Sequence, residues 1–256
     1  MIVALIPARY DSSRLPGKPL LKFGDKTMIQ MVYEKTCRSV YVDKTYVVTD
    51  DERIKDNIEL IGGNVIIVKE DCVNGTERLC KAIMNNLELF EDVNTIVNVQ
   101  GDEPFIKPNH IDIAISNLNS KVVCSTLHYK ITDEKDLFNR SIGKLILDNK
   151  QNIIYCSRNC IPFNKEGIPN LEKTNYYGHI GIFVFNKKYL LDYYCKENTP
   201  LQLEEDIEWL KIIEQGFSLK STIVKDYEIG VNLPEDYTYL LDKYKPKYSQ
   251  YMYANI

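Results

Sequence analysis

The sequence predicts an α/β fold: a mostly parallel, doubly wound sheet in the first half, followed by a smaller mixed α+β lobe. Short β-branched runs at residues 2–6, 45–48, 64–68 and 95–99 alternate with stretches of helical periodicity. Those runs carry almost no polar interruption, as strands covered on both faces do. Polar clusters at 7–18, 49–51, 74–78 and 100–104 all fall beyond strand ends, the side at which doubly wound sheets bind ligands.

The elements follow in order. Residues 2–6 form a strand that meets Pro7 and a loop, 8–21, dense in Arg, Ser, Pro and Gly. Helical spacing over 28–38 and a second strand at 45–48 complete a βαβ unit. A helix over 54–60 is closed by Gly62-Gly63 and followed by the strand 64–68. From Gly75-Thr76-Glu77-Arg78 a helix is predicted to about residue 89, and the strand 95–99 stops at Gln100-Gly101-Asp102-Glu103-Pro104. The pattern changes near Ala114, with short strands predicted at 121–129, 144–148, 153–156 and 181–185. Leu203, Ile207, Leu210 and Ile213 share one face of a helix predicted over 203–215 and ended by Gly216. A strand at 219–224 leads through Gly230-Val231-Asn232 to a closing helix over 234–244. With no repeat or low-complexity linker, the expectation is one domain whose lobes span 1–113 and 114–229, with 230–256 returning to the first.

Composition excludes several function classes. A chain of 256 residues, 44% hydrophobic and 27% charged, is neither a disulfide miniprotein nor a disordered segment. Its apolar opening lacks a basic leader, and no run approaches the ~18 apolar residues that span a bilayer, so a cytoplasmic protein with no membrane partner is expected. A net charge of −4 lacks the basic excess that phosphate-backbone binding requires, which argues against a nucleic acid partner. Seven cysteines without C-x-x-C or Cys/His spacing argue for packing rather than a zinc site.

The densest chemical signal is the loop 8–18, where Arg9, Arg14 and Lys18 follow a strand directly. Arginine forks suit phosphate oxygens, lysine adds a point charge, and loop amides add donors, so this loop is fit to wrap polyphosphate. The other reading is a solvated basic loop paired with the chain's carboxylates. No G-x-x-x-x-G-K-[ST] or G-x-G-x-x-G occurs, which disfavours P-loop hydrolysis and dinucleotide binding. Asp102, at the end of a buried strand, is placed to hold a hard cation such as Mg2+ against nucleotide phosphates. A plain Gly-Asp-Pro turn is the alternative.

These residues carry a family resemblance. Pro7-Ala8-Arg9 through Ser13-Arg14-Leu15-Pro16-Gly17-Lys18-Pro19-Leu20, then Gly75-Thr76-Glu77-Arg78, then Val97-Asn98-Val99-Gln100-Gly101-Asp102-Glu103-Pro104 resemble the signature blocks of 3-deoxy-manno-octulosonate cytidylyltransferase, CMP-Kdo synthetase. Lys144, Ser157-Arg158 with Ile161-Pro162, Gly178-His179-Ile180-Gly181-Ile182, Glu205 with Glu208, and Gly230-Val231-Asn232 before Pro234-Glu235-Asp236 continue the family order over nearly the whole chain. The resemblance implies a nucleotidyltransferase (nucleotide-diphospho-sugar transferase) fold, with CTP over the first lobe, a 2-keto-3-deoxy sugar acid in a second, dimerising lobe, and a homodimer. CMP would pass from CTP to the sugar's anomeric hydroxyl, with loss of pyrophosphate. Arg9, Lys18 and Asp102 would be catalytic. Ala8, Arg9, Arg14, Lys18, Gly75, Thr76, Arg78, Gln100 and Gly101 would bind the nucleotide, while Gln100, Arg158, His179 and Glu208 would bind the sugar. Asp102 and Asn232 would hold Mg2+.

The chain departs from the family pattern at four places. Asn232 stands where the family usually has aspartate, Trp209 follows Glu208 where a Glu-Gln pair is usual, and Phe183 and Phe185 replace tyrosines. An amide oxygen still ligates a metal but brings no charge. Another acidic acceptor, such as an amino-substituted Kdo or a nonulosonic acid, is therefore an alternative. A non-catalytic nucleotide-binding module and a small oxidoreductase are alternatives of other classes.

Overall fold

The computed structural model describes residues 1–12, 15–167 and 169–252. The chain forms two compact units, Met1–Asn109 with Glu228–Ile256, and His110–Tyr227. The first carries β1 (Ile2–Ala8), β2 (Lys22–Phe23), β3 (Lys26–Thr27), α1 (Met28–Thr36), β4 (Lys44–Thr49), α2 (Glu52–Glu59), β5 (Val65–Ile67), α3 (Gly75–Met84) and β6 (Thr95–Val99). Next come α4 (Pro108–Ser116), β7 (Cys124–Lys130), α5 (Glu134–Phe138), β8 (Lys144–Leu147), β9 (Ile153–Ser157), β10 (Tyr177–Asn186), α6 (Lys187–Tyr189), α7 (Pro200–Glu205), α8 (Leu210–Glu214) and β11 (Leu219–Ile223). The chain then re-enters the first unit as α9 (Pro234–Met252).

In the first unit four strands lie parallel in the order β6-β1-β4-β5. β1 pairs with β4 from Val3 opposite Lys44 to Ala8 opposite Thr49, and with β6 from Ile2 opposite Thr95 to Leu5 opposite Asn98. Flanked on both edges, β1 buries Val3 through Ala8, which explains its uninterrupted apolar run. Side chains cap each helix that follows: Thr27 and Gln30 make a reciprocal capping box on α1, Asp51 caps α2 and Asn74 caps α3. A second core gathers Phe23, Met28, Met31, Val231 and Leu240. Phe23 meets Phe105 and Tyr237 edge to face at 5.4 and 5.1 Å. This packing fixes the segment before α9, and Asn232 with it, against the β2–β3 hairpin.

The second unit is mixed, as predicted. β7 pairs parallel with β11 and antiparallel with β10, β8 adds antiparallel to β10, and β9 to β8. The helix predicted over 203–215 is two short helices. Asp206, at φ 51, takes the left-handed conformation that ends α7, and Leu203 is 57% exposed rather than packed beside buried Ile207. Gly216, at φ 78, does end α8. The helix expected to reach residue 89 stops at Met84, and Leu87–Phe90 is a separate 3-10 turn. β10 begins four residues before the predicted 181, because Gly178 and His179 interrupt the apolar pattern. Among the described residues no helix is long and apolar enough to cross a membrane.

Candidate active site

A cavity of about 210 Å3 opens in the first unit where β1 and β6 end and α3 begins, lined by Pro7, Ala8, Arg9, Lys18, Gly75, Gln100, Gly101, Asp102 and Asn232 among others. Gly101 lets the two strand ends meet, since a Cβ there would lie 2.7 Å from the carbonyl oxygen of Pro7. Asn74 and Gly75 put the amino end of α3 at the wall, where amides and helix dipole favour an anion. Arg9 is exposed and makes no ion pair or hydrogen bond with another described residue, so its guanidinium is available to a ligand.

The loop carrying Arg9 is fixed from behind. Gly17, at φ 68, donates its amide to the carbonyl of Tyr10 at 3.0 Å and turns the chain into Lys18. The Tyr10 ring lies 3.3 Å beneath the Arg53 guanidinium carbon, and Arg53 forks onto Asp51 at 2.9 and 2.6 Å. The Asp51 carboxyl is held below its ordinary range, chiefly by that arginine. Arg14 lies outside the described residues.

Lys18 and Asp102 meet at the cavity floor. Lys18 Nζ donates to Asp102 Oδ2 at 2.8 Å and to the Val231 carbonyl at 3.0 Å. The Val231 amide in turn donates to the Asp102 carbonyl at 2.8 Å, tying the segment of Asn232 to the loop of Asp102. Asp236 accepts from the amides of Asn232 and Leu233, leaving the Asn232 side chain to line the cavity. The Asp102 carboxylate beside the Lys18 ammonium, with the Asn232 amide lining the same cavity, suits a hard cation that completes its shell with water and phosphate. No cage of three or more His, Cys, Asp or Glu side chains occurs among the described residues.

Two predicted nucleotide residues spend their side chains on partners within the protein. The Thr76 hydroxyl is buried and accepts from Asn98 Nδ2 at 2.9 Å, outside the cavity lining. Arg78 lines the cavity, but it donates to Asp50 Oδ2 at 2.7 Å and to the Val68 carbonyl at 2.9 Å, bracing the ends of β4 and β5. Gln100 lines the wall, with Nε2 3.4 Å from Asn98 Oδ1.

In the second unit Arg158, His179 and Trp209 gather around β8–β10. Arg158 donates from Nε to the Glu205 carbonyl, from Nη1 to the carbonyls of Arg140 and Ser141, and from Nη2 to that of Asp206, at 2.6–3.2 Å. At most one N–H remains for a ligand, so Arg158 acts here as a strut. The Glu205 carboxylate accepts from Ser157, Tyr155 and the Arg158 amide; burial pushes its pKa up, but these donors outweigh it and the net shift is downward. His179 is stacked on Trp209 at 3.9 Å and on Phe183 at 4.8 Å. Thr126 gives its hydroxyl proton to the Ile182 carbonyl, so His179 Nε2, 2.9 Å from Thr126 Oγ1, carries the hydrogen and donates to that hydroxyl oxygen. Burial, with His128 and Arg158 nearby, lowers the His179 pKa to about 3, and the ring is neutral. Glu208 lies between α7 and α8, its carbonyl accepting from the Tyr194 hydroxyl at 3.0 Å. Lys144 is wholly buried, donates to the carbonyls of Asn139, Ile142 and Arg158, and is lowered to about 8 by burial.

Sequence reasoning gave no role to Tyr10, Asp50, Asp51 or Arg53, and it named Glu205 only within a family block; Tyr10, Asp50 and Asp51 do fall inside the polar clusters 7–18 and 49–51, whereas nothing at the level of the chain marks Arg53.

A family model described as cytidylyltransferase matches residues 3–225. The 3-deoxy-manno-octulosonate cytidylyltransferase of Protochlamydia amoebophila is 39% identical over 92% of this chain and 91% of its own length. The mitochondrial enzyme of that name from Arabidopsis thaliana is 41% identical over 92% and 80%. A solved structure of CMP:2-keto-3-deoxy-manno-octonic acid synthetase complexed with CTP has a TM-score of 0.86 at 29% identity, covering 96% of this chain and 99% of that one. A nucleotidyl transferase from Methanothermobacter thermautotroptrophicus, at TM-score 0.63 and 17% identity over 96% and 99%, shares the fold. The chain belongs to the 3-deoxy-manno-octulosonate cytidylyltransferases of the cytidylyltransferase family.

Proposed function

We propose that this chain transfers CMP from CTP to the anomeric hydroxyl of 3-deoxy-manno-octulosonate (Kdo) and releases pyrophosphate. The observation that carries the reading is the convergence of Arg9, Lys18, the amino end of α3 and the Asp102 carboxylate on one cavity. A triphosphate needs fixed positive charge and amide donors along its length, and the first three supply both. The sugar hydroxyl oxygen attacks the α-phosphorus in line and gives up its proton to solvent, the bond to the bridging oxygen of the β-phosphate breaks, and pyrophosphate leaves. The protein's part is to align these atoms and oppose the charge that grows on the phosphate oxygens. Gly75 and Gln100, which line the same cavity, are the residues assigned to the nucleoside in this reading.

Asp102 and Asn232 are the residues that would hold Mg2+, which would supply Lewis-acid charge neutralisation at the phosphates. Neutral His179 donates at Nε2 to Thr126 and stacks on Trp209 and Phe183, so it serves the second unit by hydrogen bonding and packing. The proposed assembly is a cytoplasmic homodimer, for which light scattering is expected to give twice the monomer mass.

The acceptor is tested by pyrophosphate release with CTP and a panel of Kdo, amino-substituted Kdo and nonulosonic acids. Kdo is expected to give the highest kcat/KM. Turnover with a nonulosonic acid and none with Kdo overturns the acceptor assignment while leaving the cytidylyl chemistry intact.

A further inference from the structure

We propose that Lys18 is a resident cation which competes with the divalent metal for Asp102, so that metal binds well at that carboxylate only after a polyphosphate has drawn Lys18 away. The inference rests on the reading of Asp102 as a metal ligand.

The geometry is specific. Lys18 Nζ donates to Asp102 Oδ2 at 2.8 Å and to the carbonyl of buried Val231 at 3.0 Å, so one ammonium engages the cavity's carboxylate and a hard oxygen just behind its lining. Both side chains are mostly withdrawn from water, at 18% and 28% exposure, which strengthens the pair above a surface ion pair. A divalent ion bound to the same carboxylate would sit within a few ångströms of the ammonium, and the like charges would repel. Arg9, on the same cavity, has no carboxylate partner among the described residues and offers no relief to Asp102.

A triphosphate changes the balance. Its oxygens give the Lys18 ammonium a denser set of acceptors in the same cavity, and the flexible four-carbon stem of lysine lets the charge move without moving the backbone. Asp102 is then free to ligate. Metal and nucleotide therefore bind with positive coupling, and by linkage each raises the other's affinity by one common factor; such couplings commonly run about 5–150-fold. The arrangement also keeps the free site from filling with divalent ion before substrate arrives.

The test is Mn2+ binding to nucleotide-free protein, read by the loss of the free-ion paramagnetic resonance signal, which needs no turnover. Lys18→Met keeps the stem and removes the charge, and is expected to bind Mn2+ at least tenfold more tightly than the parent. The gain is expected to vanish in Lys18→Met combined with Asp102→Asn. Lys18→Gln serves as the second neutral variant if the first does not fold, and far-ultraviolet circular dichroism checks each. Unchanged or weaker Mn2+ affinity in the neutral variant overturns the proposal, as does an equal gain with Asn at 102. The metal assignment is judged separately: if Asp102→Asn alone leaves the Mn2+ dependence of turnover with CTP unaltered, Asp102 is not a ligand.

Discussion

Two buried histidines make the second unit sensitive to mild acid. His128 and His179 are both held neutral by burial, with pKa values lowered to about 4 and about 3. In the unfolded chain an imidazole takes up its proton near 6.5. Below that pH the unfolded state binds more protons than the folded one, so stability falls as pH falls, and the loss levels off only near the folded pKa values. Between pH 7 and pH 5 each ring costs roughly 2 kcal/mol, and the pair about 4, against a total stability of about 5–15 kcal/mol for a typical domain. Urea unfolding at the two pH values measures the loss. Carboxylates add their own pH dependence, so the informative quantity is the difference between proteins. His179→Gln, which keeps a donor for Thr126, is expected to shrink the pH 7-to-5 loss by about 2 kcal/mol whatever it does to stability at pH 7. His128→Asn is expected to do the same. If either variant loses as much stability over that interval as the parent, that ring is not buried neutral; for His179 the account of its stack on Trp209 is then wrong as well.

Three further outcomes follow from the first unit. Arg53→Ala removes the cover on Tyr10 and loosens the Arg9 loop; KM for CTP is expected to rise about three- to tenfold in steady-state assays, with kcat nearly unchanged, in line with a cation–π contact of ~1 kcal/mol. Asp102→Asn is expected to cut turnover about a hundredfold or more with the fold preserved, the scale on which single preorganised electrostatic groups act. Asn232→Asp is expected to lower the Mg2+ concentration giving half-maximal rate and Asn232→Ala to raise it; identical Mg2+ dependence in both removes Asn232 from the metal site.

The parallel sheet was legible because covered strands must be apolar throughout, and its carboxyl ends because Gly, Asp and Pro gather there. Arg9, Lys18, Asp102 and Asn232 were legible for the same reason: each stands in or beside a turn and lines one cavity. Arg78 was only half legible. Composition marks it as a cation, but nothing local reveals that Asp50, 28 positions away, takes its guanidinium. Arg158 differs from Arg9 in the same way, since four backbone carbonyls brought together by folding absorb its donors. The continuous helix over 203–215 fails because hydrophobic spacing carries no information about Glu205, whose carboxylate is taken by Ser157, Tyr155 and the Arg158 amide just before Asp206 turns left-handed. Tertiary hydrogen bonds there override a good helical period.

Delivery of a cytidylyl group from this cavity is measured by pyrophosphate release with Kdo and each of CTP, UTP, ATP and GTP at saturating Mg2+. A site that hydrogen-bonds the edge of its base leaves its own polar groups unpaired with a wrong one, so kcat/KM for CTP is expected to exceed that for either purine nucleotide by more than about tenfold. Equal rates with ATP or GTP would contradict the account.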